Sequence, residues 1–478
     1  MEWRQCPKKL WLKVHRPELI DKDADTKHAF KVGYEIGVVA RVLYPGGVLI
    51  DTRDLREALQ LTRQWLASRV ETPLYEATFE RDGLLIQADL LLPEADGYRM
   101  IEVKSATSVK DYYLEDVAIQ RWVAGNAVRL TGVDVAHVDS KFVYPGGDEY
   151  RGLLNIVSVN AKTEKFCEEI PTWVSTARDV LEGSEPVIKQ GKQCSTPFEC
   201  PFKGYCATDK PKPEFPLTGL PHLSGGRRAQ LEEQGIWDLR DVPDEFPLSD
   251  DQKRVRRITR NGVPELLPEA ARKLSAYPWP RYYLDFETVS MAVPIWAGTR
   301  PYQKLPVQWS CHIETQEGRL DHKAFLAEGV DDPRRAFANS LVEVVGNSGA
   351  IFVYNQSFEL ARIKELASDF PDVAESLHAI AGRVIDFLPL TRDNYYHPKM
   401  LGSRSIKDVL PTIPTDLDYK AMVVGDGGAA EAAWLEILHP STPEEQRQRL
   451  RRDLAAYCAV DTKAMVDLAH FLVQRSNS

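Results

Sequence analysis

The chain has 478 residues and carries 60 Lys+Arg against 70 Asp+Glu, a formal net charge of −10 at pH 7. At roughly 150 residues per domain, that length predicts about three units. A hydrophobic content of 43% and a charged content of 27% exclude a disordered or fibrous chain. No apolar run approaches the ~18 residues of a membrane span, and the acidic total excludes a broadly polycationic binder. It leaves open a carboxylate-rich site that holds cations. Residues Met1–Cys6 contain no apolar signal segment, so a cytoplasmic location is expected.

Cys6 opens the chain in QCPKKLW, and three more cysteines follow much later as a C-x5-C-x5-C run, Cys194, Cys200 and Cys206. Seven cysteines without a secretion signal argue against a disulfide framework. Cys167, Cys311 and Cys458 sit singly in segments that read as helix or strand and are assigned to the core. Zinc ligands usually come as C-x2-4-C pairs. Four thiolates from two distant segments, two of them followed by proline, suit an iron–sulfur cluster of the [4Fe-4S] kind better, with zinc left open. Such a clasp ties the N-terminus to about residue 206 and has a structural role.

Between the clasp halves, residues 84–104 predict a hairpin: two apolar runs around the turn Pro93-Glu94-Ala95-Asp96-Gly97. Asp89 falls in the first strand. Glu102 and Lys104 fall in the second at i and i+2, hence on one face. Two such carboxylates hold Mg²⁺ or Mn²⁺ ions, and a lysine two residues on positions or helps deprotonate an attacking water. A helix predicted over residues 112–125 places Gln120 where it orients the lysine or the substrate. Glu35, in VGYEIGVVARVL, and Glu76, in LYEATF, are further acids ranked lower.

Residues 207–222 are proline-rich and unpatterned, marking a boundary. A Gly-Gly turn, a short helix Arg227–Gln234 and a break at Gly235 then resemble a helix-hairpin-helix. Downstream, Lys253, Arg254, Arg256, Arg257 and Arg260 crowd one short helix, either as a solvated face or as a surface tracking a nucleic-acid backbone.

The last third opens with RYYLDFETVS, a buried-strand composition that puts Asp285 and Glu287 on one face. GAIFVYNQSFELARIKELA predicts a strand turning into a helix with Glu359 in its first turn. Asp386 is expected to open a further strand, as another acid near the site. Residues 401–411 (LGSRSIKDVLP) put cationic groups ahead of an apolar close, as contacts for a substrate strand. Thr442-Pro443-Glu444-Glu445 predicts a helix start with Thr442 as N-cap, and that helix carries Tyr457 and Asp461 at i, i+4. The GDGG stretch 425–428 matches no phosphate-loop pattern and is read as a loop.

These motifs resemble known families. Asp89, Glu102, Lys104, Gln120 and the four cysteines are similar to the PD-(D/E)xK nucleases of the RecB group, within it most to members with a four-cysteine iron–sulfur cluster, such as the AddB type and the CRISPR-associated RecB-like exonucleases. Those families often carry a histidine on an early helix; VGYEIGVVARVL has none, and Glu35 is its nearest candidate for that role. Asp285, Glu287, Asn355, Phe358, Glu359, Tyr457 and Asp461 resemble the tyrosine subtype of the DEDD exonucleases, with Glu359 where that family has aspartate. The resemblance implies that the four acids bind two divalent ions and that Tyr457 orients the attacking water. The blocks CPKKLWLKVHRPEL, EVKSATSVKDYYLEDVAIQ, YLDFET, GSRSIKDVLP and YCAVDTKAM together resemble an uncharacterised bacterial family that joins the two domains.

The implied architecture is α/β in three parts: a restriction-endonuclease-like domain with the clasp (1–210), a small helical bridge (211–277) and an RNase H-like, DnaQ-type exonuclease domain (278–478). The implied activity is Mg²⁺- or Mn²⁺-dependent hydrolysis of DNA, at single strands or ends. The alternatives are an RNA exonuclease, or a nucleic-acid-binding protein with one degenerate site. Nucleic acid is the expected partner, with a helicase or defence-system partner left open and no membrane expected.

Overall fold

The computed structural model describes residues 1–21, 25–68, 71–207, 211–419 and 422–474. The chain is mixed α/β and divides into two compact units, residues 1–210 with 291–303, and residues 211–290 with 304–478. Among the described residues, no helix is long and apolar enough to cross a membrane.

The first unit is built on six strands, β1 (Val48–Leu49), β2 (Leu74–Arg81), β3 (Leu84–Glu94), β4 (Gly97–Lys104), β5 (Leu130–Val138) and β6 (Leu154–Ser158). They lie side by side in chain order. The pairs β2–β3, β3–β4 and β5–β6 are antiparallel, whereas β1–β2 and β4–β5 are parallel. Both faces are covered, so consecutive positions are buried: Leu90 with Leu91, and Met100 with Ile101. One face packs on the helices Asp111–Ala124 and Ile170–Glu182 through Val117, Val123 and Trp173. The other receives Ala40 of the helix Asp25–Leu43. The expected hairpin is β3–β4. Its Gly97 has φ +155, and a Cβ there would collide with the Arg129 carbonyl.

The second unit contains β7 (Glu265–Leu266), β8 (Arg281–Val289), β9 (Leu305–Glu314), β10 (Leu320–Leu326), β11 (Ala350–Val353), β12 (Val384–Asp386) and β13 (Tyr395–Tyr396). Its main sheet has the order β10-β9-β8-β11-β12, antiparallel through β8 and parallel beyond it. The central β8 packs Leu284 and Phe286 against Trp309, Phe337 and Ile363 on one side. On the other, Tyr283 joins Phe352, Phe387 and Leu468. The ladder between β8 and β9 slips its register between Glu287 and Thr288, the kind of irregularity that re-aims side chains.

Four expectations change at this level. Residues 211–277 are no separate bridge: Leu217, Leu231 and Val255 share one apolar core with Phe352, Tyr396 and Leu468. The basic helix, Asp250–Asn261, keeps Lys253 and Arg257 exposed, but its arginines are tied into ion pairs. Arg254 and Arg257 both pair with Glu265, and Arg256 and Arg260 both pair with Asp244. Asp386 ends β12 rather than opening a strand, and caps the helix Phe387–Asn394 by accepting from the Leu388 N–H at 3.0 Å. Thr442 does not cap forward: its hydroxyl donates back to the Glu436 carbonyl at 2.7 Å, and the helix begins at Glu444.

Candidate functional site

In the first unit the hairpin and the helix behind it bring the expected residues together. The Asp89 carboxylate accepts from the Val103 N–H at 2.6 Å, which fixes β3 against β4 beside Glu102. Lys104 Nζ donates to Glu102 at 2.6 Å and to Asp116 at 2.9 Å. Asp116 is a site residue that sequence reading missed. It lies four residues before Gln120 on the same helix, and that spacing was its only signal. Gln120 is buried with its amide oxygen unpartnered, and so is one oxygen of Glu102. Burial pushes Asp89 well above the usual carboxylate range, and Glu102 adds to it. Burial also raises Glu102, against the pull of Lys104. The Lys104 ammonium is itself disfavoured by burial, but Glu102 and Asp116 outweigh that and hold it charged. A lysine so held positions a water or stabilises negative charge, and it is not poised to take a proton.

Glu76 stands in a left-handed conformation, φ +56, inside β2. The ladder to β3 passes it by, pairing Tyr75 with Leu90 and Ala77 with Ala88. Its carboxylate lies 3.6 Å from Arg41 and close enough to Asp89 to raise it, so this acid belongs to the cluster. Glu35 is half-buried on the helix Asp25–Leu43.

Cys6, Cys194, Cys200 and Cys206 line one small cavity together with Lys8 and Lys9, and none is in a disulfide. Cys6 sits at the N-cap of the helix Pro7–His15. The Cys200 N–H donates to the Cys194 carbonyl at 2.9 Å, which curls the later loop around the cavity. Burial raises the Cys200 and Cys206 thiols, and Lys9 and Lys8 respectively pull them down, so thiolates there have cationic partners. Among the described residues, only Asp285, Glu287 and Cys458 bring three ligand atoms within 4.8 Å of one another. No three of the four sulfurs all lie within 4.8 Å of one another, and thiolates serve zinc and iron–sulfur groups alike.

In the second unit, Asp285, Glu287, Tyr457 and Asp461 line a cleft of 400 Å³ with Arg404 and Lys407. Asp285 and Glu287 come from β8, and Tyr457 and Asp461 from one face of the long helix Glu444–Gln474. Glu359, in the first turn of the helix Ser357–Asp369, is 3% exposed with one carboxylate oxygen unpartnered. The strand-to-helix turn before it uses Asn355 at φ +79, a conformation asparagine tolerates, and the Asn355 N–H donates to Asp386 at 3.1 Å. Burial pushes Asp285 well above the carboxylate range, and Asp461, Glu287 and Glu359 add in that order. Glu287 and Glu359 are each pushed up to about 8, chiefly by burial. Burial and mutual repulsion favour the protonated forms of these acids, and a cation bound among them reverses that preference.

Three partners of this cluster were not singled out from sequence. Lys407 donates to the Tyr457 hydroxyl at 2.9 Å and to the Gly425 carbonyl at 2.8 Å. Tyr419 donates to Asp461 at 2.6 Å. Cys458, read as a core residue, is fully buried, with its sulfur 3.6 Å from Asp285. The GSRSIKDVLP stretch signalled Lys407 as one of several cations; nothing local marked Tyr419 or the direction of Cys458.

The model of a domain of unknown function, DUF2779, matches residues 282–405. That stretch holds Asp285, Glu287, Glu359 and Arg404 and stops short of Tyr457 and Asp461. An uncharacterized protein of Ureaplasma parvum serovar 3 is 23% identical over 217 residues, covering 40% of this chain and 31% of the relative. An uncharacterized protein of Mycoplasma pneumoniae is 24% identical over 211 residues, covering 40% and 32%. The chain thus spans about a third of the length of these curated relatives. Among solved structures, a family B DNA polymerase from the archaeon Pyrobaculum calidifontis is similar at 14% identity and a TM-score of 0.26, covering 42% of this chain and 27% of the polymerase.

Proposed function

We propose that this chain is a metal-dependent nuclease that hydrolyses phosphodiester bonds, DNA ahead of RNA, working from ends or on single strands. In this reading the first unit is a RecB-like PD-(D/E)xK domain and the second an RNase H-like DEDD-type domain. The observation that carries it is the convergence of Asp285, Glu287 and Asp461 beside Tyr457 and Lys407 in one cleft, with Glu359 near enough to raise Asp285. The second such grouping, Asp89, Glu102, Lys104 and Gln120, supports the same chemistry.

Divalent Mg²⁺ or Mn²⁺, when bound by these carboxylates, supplies Lewis acidity at the phosphate. The chain's own residues do the rest. Tyr457 orients a water through its hydroxyl, and Lys407 fixes that hydroxyl. In the first unit Lys104, kept charged by Glu102 and Asp116, faces the negative charge that develops at phosphorus. Cys6, Cys194, Cys200 and Cys206 hold a [4Fe-4S] cluster as a structural clasp, closing a loop of nearly 200 residues.

The test is hydrolysis of matched 5′-labelled single-stranded DNA and RNA in Mn²⁺. Stepwise shortening that stops on chelation is expected, faster on DNA. If neither strand is cleaved under any divalent ion while both are bound, the chain is a binding protein and the nuclease reading fails.

A further inference from the structure

Three aromatic rings, each in contact with the next, join the loop between Cys194 and Cys200 to the lysine of the first unit's carboxylate site. Phe198, on that loop, is 50% exposed, although phenylalanine is a residue that folding normally buries. Its ring packs edge-to-face with Tyr112 at 4.9 Å, and Tyr112 packs edge-to-face with Tyr113 at 4.5 Å. The Lys104 ammonium lies 5.3 Å over the Tyr113 ring while it donates to Glu102 and Asp116. Phe198 is held in place from behind, because the Gln5 amide donates to its carbonyl at 2.6 Å and to that of Gln193 at 2.8 Å. Tyr112 and Tyr113 stand in the first turn of the helix Asp111–Ala124, and both are half-buried. Lys110 occupies the N-cap position of that helix, where no side chain caps it. Its side chain is exposed, and its ammonium lies 5.9 Å over the Tyr112 ring. A single exposed ring needs no explanation. Three rings in contact, flanked by two lysines and ending at a carboxylate site, have the makeup of a surface for unpaired nucleotides. Ring faces stack on bases of any sequence, and cations beside them take the phosphates.

We propose that Phe198 and Tyr112 form a stacking platform for the unpaired bases of a single nucleic-acid strand, with Lys110 on its backbone, and that the platform leads the strand to Lys104 and the acids beside it. This rests on the nuclease reading of the first unit and deepens it by naming what selects the substrate. Bases in a duplex are already stacked on one another and have no free faces to offer along its length, so ring faces select single strands. The acids alone repel a phosphodiester, and the rings and lysines supply attraction next to them.

The experiment measures equilibrium binding of fluorescent oligonucleotides in Ca²⁺, by anisotropy across a salt series. The strands are a single-stranded DNA, an RNA of the same sequence, an abasic DNA of equal length and a blunt duplex. Wild type should bind the base-bearing single strands about tenfold more tightly than the abasic one, and the duplex more weakly than either. Phe198→Ala should weaken binding of the base-bearing strands about tenfold, leave the abasic strand within twofold, and keep the log–log salt slope unchanged. DNA and RNA should lose the same factor, because the ring meets the base and not the sugar. Phe198→Trp should bind at least as tightly as wild type, and Lys110→Gln should lower the salt slope by about 1. Binding of the base-bearing strands within twofold of wild type for Phe198→Ala, in protein with an unchanged unfolding midpoint, overturns the proposal. So does an equal loss on base-bearing and abasic strands, a wild type that prefers the duplex, or one that binds no strand. The two readings separate in Mn²⁺. Phe198-dependent binding without hydrolysis sinks the nuclease and keeps the platform, whereas hydrolysis of single strands with KM indifferent to Phe198→Ala does the reverse.

Discussion

Lys407 and Tyr457 share a hydrogen bond of 2.9 Å at the mouth of a cluster of acids, and the pair shows what a single contact contributes there. Burial, with the charges of Asp461 and Glu287, pushes the tyrosine hydroxyl well above its ordinary value, so it stays protonated and can only donate or accept, not ionise. In the proposed nuclease its service to an attacking water is orientation. Tyr457→Phe should therefore lower the turnover of the second site about 10²-fold with little change in KM, and Lys407→Gln about tenfold. Because each residue acts through the other, the double variant should be no slower than Tyr457→Phe alone, measured on a background in which the first site carries Asp89→Asn. Multiplicative losses would show that Lys407 acts on the substrate directly.

At the scale of elements, the helix Asp250–Asn261 and the long C-terminal helix carry the second unit's geometry. Ser249 caps the first in a full capping box, with Gln252 returning to the Ser249 N–H at 3.0 Å. Ser249→Ala should cost about 1 kcal/mol of stability, read as a lower denaturant midpoint, and should loosen Asp251 and Arg254 with it. The long helix is pinned to β9 by His470 and Glu314, 2.5 Å apart, with Tyr283 also donating to Glu314 at 3.1 Å. Glu314 raises the His470 pKa, so the stabilisation is complete below the unfolded value near 6.5 and is lost as pH rises through the folded one. The imidazole is half exposed, so the effect is under about 1 kcal/mol. Wild type should lose stability relative to His470→Gln between about pH 6 and 8, as thermal unfolding at several pH values will show. A difference that grows with pH would refute the pairing.

What was legible at this scale follows the range of the forces involved. The hairpin β3–β4, the strand β8 and the helix bearing Tyr457 are set by local pattern, which showed Glu102 with Lys104, Asp285 with Glu287 and Tyr457 with Asp461 at one-face spacing and put Asp89 on the partner strand. Partners that arrive from elsewhere in the chain were not. Tyr419 reaches Asp461 from 42 residues away, and Glu265 gathers Arg254 and Arg257 into ion pairs that the run of cations gave no sign of. The bridge failed as a separate unit for the same reason, since its leucines find their core against β11 and the C-terminal helix.

For the whole molecule, the net charge of −10 is unevenly placed, because some of the acids are gathered in two largely buried clusters and arginines such as Arg254 are tied into ion pairs. Binding of nucleic acid should then be shaped and metal-dependent, without broad electrostatic coating. The clasp belongs to this scale as well. Protein purified without oxygen should be brown and contain about four irons per chain, and Cys200→Ser should lose both iron and stability of the first unit. A colourless preparation with one zinc would contradict the cluster.

In the proposed nuclease each unit carries its own hydrolytic carboxylate site. This is tested most directly by assaying Asp89→Asn, Asp285→Asn and the double variant on 5′- and 3′-labelled single strands in Mn²⁺. Each single variant should lose one component of the cleavage pattern by 10²-fold or more, and the double variant should be inactive. Full activity in the double variant, with its fold intact, would contradict both assignments.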